Sequence, residues 1–427
     1  MGSIYNPIGN YVHQVNHRNK DLSITNLQGI NINKVFMPSV ANVRGTDLSK
    51  YKVVLGKQFA FNPMHVGRDK VLPVSMHDFE EPIIISPAYV VFEVVNEEKL
   101  LPEYLMMWFR RPEFDRNAWF TTDSSVRGGF SWNDFCDMDL PVPLIEKQRE
   151  IVKEYNIIID RITLKEQINQ KLKETTQTIY KQWFVNFDFP IPVEYAVSIG
   201  NINMEGKPYK SSGGEMIFNG EMDHDIPKGW RFLELSSLID KVIDNRGKTP
   251  PLVENGARFL FETFLLNETQ VFPLIQSNSK NKYVTDDVYS NWFRSGHPEY
   301  LDILMGTVGN GIPSWGLVPK KCDFCIAQNI ISLRLKEVIS PFYIITFFNT
   351  TLFKSQFYGR VKDTAQPSIR VSDIKTIKIM IPENNINKEF HKLALILYEK
   401  IEVNIWEISL LHKWRETLID NIIVAGI

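Results

Sequence analysis

The chain has 427 residues, which suggests two to four domains at roughly 100–200 residues per domain. Its composition, with 44% hydrophobic and 23% charged residues, is that of a globular protein and excludes a mainly disordered chain. The formal net charge of -2 excludes a polycation that coats nucleic acid by charge alone, but it allows a local basic patch.

The cellular compartment is indicated by signals that the sequence lacks. No apolar run approaches the ~18 residues of a membrane-spanning helix, and Met1 to Tyr11 shows no basic start followed by an apolar core. The 3 cysteines are too few for a disulfide framework. We therefore expect a cytoplasmic protein with no membrane partner.

The first predicted domain, residues 1–145, is rich in short strands. Apolar runs such as Phe59-Ala60-Phe61 and Tyr89 to Val94 are bounded by Gly, Pro and Asn, which is typical of strands. A helix that begins with proline follows over Pro102 to Arg110. A polar loop and one last strand, which ends at Pro143, complete the domain.

Two long helices are predicted, over residues 146–189 and over residues 384–427. Each carries about five heptads with mostly apolar a and d positions, counted from Ile151 in the first helix and from Phe390 in the second. Polar residues interrupt both seams. They either fix the register of a helix pair or face solvent where the seam drifts, and they are Lys165, Asn169, Asn404 and Arg415.

The remaining ranges are a linker and a second β-rich domain. Residues 190–225 contain Gly-Lys-Pro and Ser-Ser-Gly-Gly runs, which favour a linker, and residues 226–383 form the second domain. An offset of 239 positions aligns Tyr104 with Tyr343 and also aligns both long helices. The stretches before Ser86 and Cys325 do not align. We therefore predict an α+β fold in which a β-rich domain followed by a long helix occurs twice.

The candidate catalytic motifs in the sequence lack the context that their chemistry requires. Gly247-Lys248-Thr249 resembles the end of a phosphate loop, but prolines follow where the helix must begin. Cys322 and Cys325 have no second pair at zinc spacing, so a buried strand cysteine is favoured. Asp78, Glu97 and Lys99 loosely imitate a nuclease carboxylate set, which many chains of this length contain by chance. The absence of motifs favours a binding protein over an enzyme.

Two similar domains with divergent front ends, joined by rigid helices, are suited to reading a bipartite DNA site. Loop donors are the candidate contacts, because Arg can bind guanine, Asn or Gln can bind adenine, and Lys and Ser suit phosphates. The alternative for each residue is an ordinary solvated loop side chain. The candidates are Arg44, Arg68, Arg127, Arg246, Lys248, Asn310, Gln366, Ser368 and Arg370.

A run of motifs in the middle of the chain resembles the specificity (S) subunits of type I restriction-modification systems. Lys147 to Ile151 is similar to the start of the family's central helix, and Gln182 to Pro190 is similar to its end. Gly206 to Met216, followed by Ile226-Pro227-Lys228-Gly229-Trp230, is similar to the lead-in to the second target recognition domain. The first domain departs from this pattern, because it lacks the Pro-Lys-Gly-Trp opening.

The resemblance implies a subunit that catalyses nothing and reads two unlike half-sites of double-stranded DNA at a fixed spacing. It implies one target recognition domain for each half-site and two long helices that pair antiparallel as a spacer. It also implies two methylation (M) subunits and up to two restriction (R) subunits, with S-adenosylmethionine, ATP and Mg on these partners and no cofactor in this chain. Trp183, Phe184, Trp406 and Trp414 are then candidates for the subunit interface, or else they pack the helix pair.

Two other classes of function stay open on the residues alone. A nuclease that acts alone would use a carboxylate set and a divalent metal. A coiled-coil scaffold that bridges two protein-binding domains would show no DNA affinity that falls with salt.

Overall fold

The computed structural model describes residues 5–39, 45–64, 66–122, 129–221, 223–254, 256–266, 270–273, 281–309, 313–362 and 366–421. Contacts divide the chain into unit 1, Met1–Arg161 with Leu411–Ile427, and unit 2, Ile162–Leu410. Both boundaries fall inside the predicted long helices. The domain ranges given above therefore stay predictions, and each unit is described by itself.

Unit 1 is built from short strands around one four-stranded sheet of order β2-β9-β6-β7, in which every pair is antiparallel. Three further antiparallel pairs flank it: β1 with β10, β3 with β4 and β5 with β8. The strands are β1 Tyr5–Pro7, β2 Val12–Val15, β3 Gln28–Ile30, β4 Phe36–Pro38, β5 Lys52–Val54, β6 Phe59–Phe61, β7 Val74–Met76, β8 Ile83–Ile85, β9 Val90–Val94 and β10 Asp139–Pro141.

The helices of unit 1 begin at residues suited to a helix start. The predicted proline-led helix is Pro102–Phe109, and Pro112–Thr121 also begins with proline, whose missing N–H costs nothing there. Trp132–Cys136 begins after a capping box formed by Ser131 and Asp134. A short helix, Val66–Asp69, lies between β6 and β7. Aromatic side chains from the sheet and helices form the core, with Phe59 stacked on Phe92 at 5.0 Å.

Unit 2 has a four-stranded antiparallel sheet of order β14-β20-β17-β18 and a three-stranded sheet of order β16-β15-β19. Two antiparallel pairs, β11 with β12 and β13 with β21, complete it. The strands are β11 Met216–Asn219, β12 His224–Pro227, β13 Arg231–Glu234, β14 Ile239–Ile243, β15 Arg258–Phe261, β16 Lys282–Val284, β17 Ile303–Gly306, β18 Trp315–Leu317, β19 Phe324–Ile326, β20 Ile330–Leu335 and β21 Lys378–Ile381.

The predicted linker, residues 190–225, is folded onto the core of unit 2. Its first helix, Val193–Ser198, buries Ala196, and the chain then reaches the β11–β12 hairpin. The Tyr209 ring stacks on Phe189 at 4.6 Å, and Phe189 stacks on Trp230 at 5.3 Å. The other short α-helices in the described part of unit 2 are Asp286–Trp292, Pro341–Phe348, Thr351–Tyr358 and Val371–Lys375.

The predicted duplication is visible in matching hydrogen bonds. The Tyr104 hydroxyl donates to the Pro141 carbonyl in unit 1, and the Tyr343 hydroxyl donates to the Met380 carbonyl in unit 2. The donors and the acceptors of these two bonds are both separated by the offset of 239 positions. The front ends differ as the sequence indicated. In unit 1, β8 pairs antiparallel with β5, whereas in unit 2 the strand at the corresponding position, β19, pairs parallel with β15.

The two long helices are Ile145–Tyr180, which continues into a π-helical turn at Lys181–Val185, and Asn384–Asp420. Within unit 2 they run antiparallel, because Asn169 contacts Asn404 and the later Trp183 contacts the earlier Phe390. Every described a and d position is buried or half-buried, so the heptad register is confirmed. No helix in the described part of the chain is long and apolar enough to cross a membrane.

Candidate nucleic-acid interface

One end of the four-stranded sheet in unit 2 gathers the predicted DNA-contacting loops. Strands β14 and β17 both run antiparallel to β20, with Ile243 opposite Ser332 and Gly306 opposite Ile330. The ends of β14 and β17 therefore lie beside the start of β20. We call the loops at this end, residues 244–249, 307–309, 327–329 and 366–370, the unit 2 loop edge.

Hydrogen bonds join these loops to one another. Gln328 Nε2 donates to Thr249 Oγ1 over 3.2 Å, and the Thr307 amide donates to the Asn329 carbonyl over 2.9 Å. The Ile369 amide in turn donates to the Thr307 carbonyl over 3.0 Å. The edge is therefore a single surface held by backbone and side-chain hydrogen bonds, although its loops are far apart in sequence.

The unit 2 loop edge presents several of the predicted donors to solvent. Lys248, Gln366 and Arg370 are exposed, and Arg370 lies immediately before the helix Val371–Lys375. The Ser368 carbonyl accepts the Lys362 amide at 2.9 Å, which fixes this loop. Asn310 lies outside the described residues. That these residues contact DNA stays a prediction. The structure brings Lys248, Gln366, Ser368 and Arg370 to one edge together with Arg246.

Arg246 is exposed but already has a partner. Its Nε donates to Asp244 Oδ1 over 2.9 Å, and this hydrogen bond raises the pKa of the guanidinium above its ordinary value. The pair orients the guanidinium and leaves further N–H donors for a base or a phosphate. Contact with DNA would then require the arginine to share or leave this carboxylate.

Unit 1 repeats the arrangement. The Phe130 amide donates to the Pro63 carbonyl over 3.1 Å, and this bond is the counterpart of the one from Ile369 to Thr307. The ends of β2 and β6 again lie beside the start of β9. Arg44 and Arg127 lie outside the described residues, and Arg68 lies in the helix Val66–Asp69 with its side chain outside them.

Sequence reasoning missed a basic loop at this end of unit 1. His17, Arg18 and Lys20 lie shortly after β2. A hydrogen bond of 3.0 Å from the Asn19 amide to the Tyr51 carbonyl fixes this loop beside the start of β5. A run of cations just after a strand was the available signal. Its position beside Lys52 depends on strand pairing that a sequence pattern does not show.

The predicted interface aromatics fall into two groups. Trp183 and Phe184 are 6% and 5% exposed, and their rings lie 6.1 and 5.0 Å from Phe390 in the core of unit 2. Their burial gives a partner little surface, so a core role fits these two residues better than an interface role. Trp406 and Trp414 are 52% and 61% exposed, and for them the interface prediction stands.

Trp406 lies in a groove of about 450 Å³ in unit 2. Its apolar wall includes Phe272, Pro273 and Val403, and Lys321 Nζ lies 5.2 Å from the indole ring centre. Lys320 Nζ pairs with Glu399 at 2.7 Å on the rim. The groove therefore combines an apolar floor with charged edges.

The rejected catalytic candidates have structural explanations. Cys325 is fully buried in β19, and burial raises its pKa to about 12, while Cys322 is half-buried with a pKa of about 11. Glu97 pairs with Lys57 at 2.7 Å. In the described parts of the chain, no group of three or more His, Cys, Asp or Glu side chains could hold a metal ion.

The chain thus has two β-rich regions, each with loops gathered at one end of a four-stranded sheet and each followed by a long helix. Known proteins are similar to it in sequence. The chain is 26% identical over 455 residues to the HindI specificity subunit of Haemophilus influenzae, and this alignment covers 92% of the chain and 91% of the relative. The chain is 23% identical over 334 residues to the MjaIX specificity subunit of Methanocaldococcus jannaschii, and this alignment covers 77% of the chain and 70% of the relative.

Both relatives are specificity subunits of type I restriction enzymes, so the resemblance to this family is confirmed. The crystal structure of a type I restriction-modification S subunit from M. genitalium matches 97% of the chain with a TM-score of 0.50. At 11% identity, this match shows the fold alone. No family model matches the chain.

Proposed function

We propose that this chain is the DNA-recognition subunit of a type I restriction-modification complex. It reads a bipartite, asymmetric site in double-stranded DNA through two target recognition domains, one in each unit. The observation that carries the proposal is the unit 2 loop edge, where loops far apart in sequence meet and expose Lys248, Gln366 and Arg370. The equivalent end of unit 1 supplies the second reading surface.

The two kinds of side chain at the loop edge have different tasks. Arg246, Gln366 and Arg370 carry the donors that can distinguish bases in the major groove. Lys248 and Ser368 suit phosphates, which fix the position of the protein but carry no sequence information. Because the loops are hydrogen-bonded to one another, the segments that carry the base-reading side chains are held together before DNA arrives.

The long helices act as the spacer between the two half-sites. A helix of 36 residues, Ile145–Tyr180, spans about 54 Å at ~1.5 Å per residue. Pairing with the helix Asn384–Asp420 stiffens it, because the a and d side chains of the two helices pack against each other. A fixed spacer accounts for a fixed number of unread base pairs between the half-sites.

The chemistry belongs to partner subunits. Two M subunits supply S-adenosylmethionine-dependent adenine methylation, up to two R subunits supply ATP- and Mg-dependent cleavage, and the assembly works in the cytoplasm. Trp406 in unit 2 and Trp414 in unit 1 are each proposed to contact an M subunit, because exposed aromatic side chains are enriched in interfaces. Trp406→Ala should weaken co-purification of the M subunit, whereas Trp292→Ala, on another exposed tryptophan of unit 2, should not.

Selection of DNA by the complex tests the proposal. The chain and its M subunit are purified together and incubated with a library of random duplexes, and the bound fraction is sequenced. We expect one motif with two defined halves and a constant gap, and binding that weakens as salt rises. An intact complex that enriches no sequence and shows no salt-dependent affinity would support the scaffold class instead, and metal-dependent cleavage by the chain alone would support the nuclease class.

A further inference from the structure

Two cations in unit 1 lie together without a carboxylate partner among the described residues. Lys52 is only 7% exposed, and its ammonium group donates to the Tyr89 carbonyl. Arg18 is half-buried, forms a β-bridge with Lys52 and donates from its guanidinium to the Lys50 carbonyl. Both side chains are thus held by neutral acceptors only.

The surroundings of Lys52 differ from those of the other buried lysine of unit 1. Lys34 is 4% exposed and pairs with Asp115 at 2.8 Å, as a buried lysine normally requires. Burial lowers the pKa of Lys52, and repulsion from Arg18 lowers it further. The free protein therefore holds two like charges together at a cost that an anion would relieve.

The position of the pair matches the unit 2 loop edge. In unit 2, Gln328 lies just before β20 and its side chain reaches the loop that follows β14. The equivalent residue of unit 1 is Tyr89, just before β9. Its carbonyl accepts the hydrogen bond from the Lys52 ammonium group, beside the loop that follows β2. His17 and Lys20 on that loop are exposed and add positive charge.

We propose that Arg18 and Lys52 form a phosphate-binding site on unit 1 that a backbone phosphate of duplex DNA completes. The inference rests on the proposed function and deepens it by assigning residues that position the first target recognition domain. The guanidinium of Arg18 has N–H donors beyond the one used on Lys50, and Lys52 retains donors beyond the one used on Tyr89. A phosphate there is attracted by two charges that water screens poorly.

Duplex binding by the full chain tests the site. Dissociation constants for a mixed-sequence duplex of about 30 base pairs are measured across salt concentrations for wild type, Arg18→Gln, Lys52→Met and Lys57→Gln. The control, Lys57, is exposed, pairs with Glu97 at 2.7 Å and precedes β6 at the opposite end of the sheet. Each site variant should lower the slope of log affinity against log salt by about 1, a loss of roughly tenfold at 0.1 M salt, for all sequences alike.

A second arm separates a phosphate site from a structural role. Without anion, Lys52→Met should keep or raise the melting temperature, because it removes a buried, repelled charge, and inorganic phosphate should stabilise wild type and Lys57→Gln more than either site variant. Equal phosphate shifts and superimposed salt curves for all four proteins would overturn the inference. A wild type that responds to phosphate but binds no duplex would overturn the proposed function and leave an anion site that DNA does not fill.

Discussion

Asn404 donates its side-chain amide to Asn169 Oδ1 over 2.8 Å between the two long helices of unit 2. Asn404 is 1% exposed, and Lys165 donates to its Oδ1 over 3.4 Å while also pairing with Glu407. For Lys165, Asn169 and Asn404, the structure supports an interhelical contact over solvent exposure, and for Arg415 both interpretations stay open. A polar pair at a and d positions has one register in which both groups are satisfied.

Breaking this pair should destabilise unit 2. Asn404→Leu leaves Oδ1 of the half-buried Asn169 without its donor, which we expect to lower the free energy of unfolding by about 1 kcal/mol. Urea unfolding followed by circular dichroism measures the change. The exposed Asn156→Ala on the central helix is the control and should shift stability by no more than about 0.5 kcal/mol.

The double variant separates register from stability. Asn169→Leu with Asn404→Leu removes both polar groups, so it should recover the stability lost in the single variant. It also removes the preference for one register. A double variant that is less stable than Asn404→Leu alone would contradict this account of the pair.

Two buried amides should hold the starts of the proline-led helices. Gln148 Oε1 accepts the Leu101 amide and its Nε2 donates to the Lys99 carbonyl, both over 2.9 Å. Asn387, at the same position of the repeat, accepts the Ser340 amide over 3.2 Å. Gln148→Leu should lower the free energy of unfolding by about 2–3 kcal/mol, since it leaves buried backbone groups unpaired.

The measurement is again urea unfolding, and the repeat provides its own comparison. Asn387→Leu should also destabilise, by less, because its hydrogen bonds are longer and fewer. Destabilisation by one variant and not by the other would show that the matching hydrogen bonds do not play equivalent roles.

Much of the fold follows from local patterns. Both long helices, the heptad register and the helix at Pro102 were predicted because apolar spacing and proline placement are local signals. The folding of residues 190–225 was not, because Tyr209 and Ala196 are held by contacts with distant aromatic residues. The predicted loops of unit 2 meet at one edge, and their contact with DNA stays a prediction. Arg18 was missed because its β-bridge to Lys52 joins two segments that no local pattern connects.

The stability of unit 2 should depend on pH through His297. Its imidazole stacks on Tyr289 at 3.6 Å, and its Nε2 lies 2.8 Å from the Tyr289 carbonyl. Burial lowers its pKa below the ordinary value of 6.5, the carbonyl acts against this shift, and Arg258 lowers it further. The unfolded chain therefore binds a proton more readily than the folded chain does. The contribution of neutral His297 to the free energy of unfolding is complete above pH 6.5, and it is lost as the pH falls through the lowered pKa of the folded state.

Urea midpoints at pH 7.5 and pH 5.5 check this dependence. The midpoint of wild type should fall more between the two conditions than that of His297→Phe, which keeps the ring contact but does not titrate. An equal fall in both proteins would assign the pH dependence to other groups.

The unit 2 loop edge should determine one half-site only. Arg246→Ala or Arg370→Ala should weaken binding to the specific site by about 1–3 kcal/mol and relax the base preference in one half of the motif. Arg231→Ala, on an exposed arginine of β13 away from the edge, is the matched control and should leave the motif unchanged. Gel-shift competition with duplexes altered in one half at a time measures the effect.

In the proposed function, one chain reads two half-sites with two independent domains. The experiment is co-expression of the chain with its M subunit, followed by single-molecule sequencing of methylated adenine in host DNA. We expect one bipartite motif with a constant gap, in which exchange of residues 1–145 for those of a relative changes one half alone. An intact complex that adds no methylation, or an exchange that alters both halves at once, would contradict the proposed function.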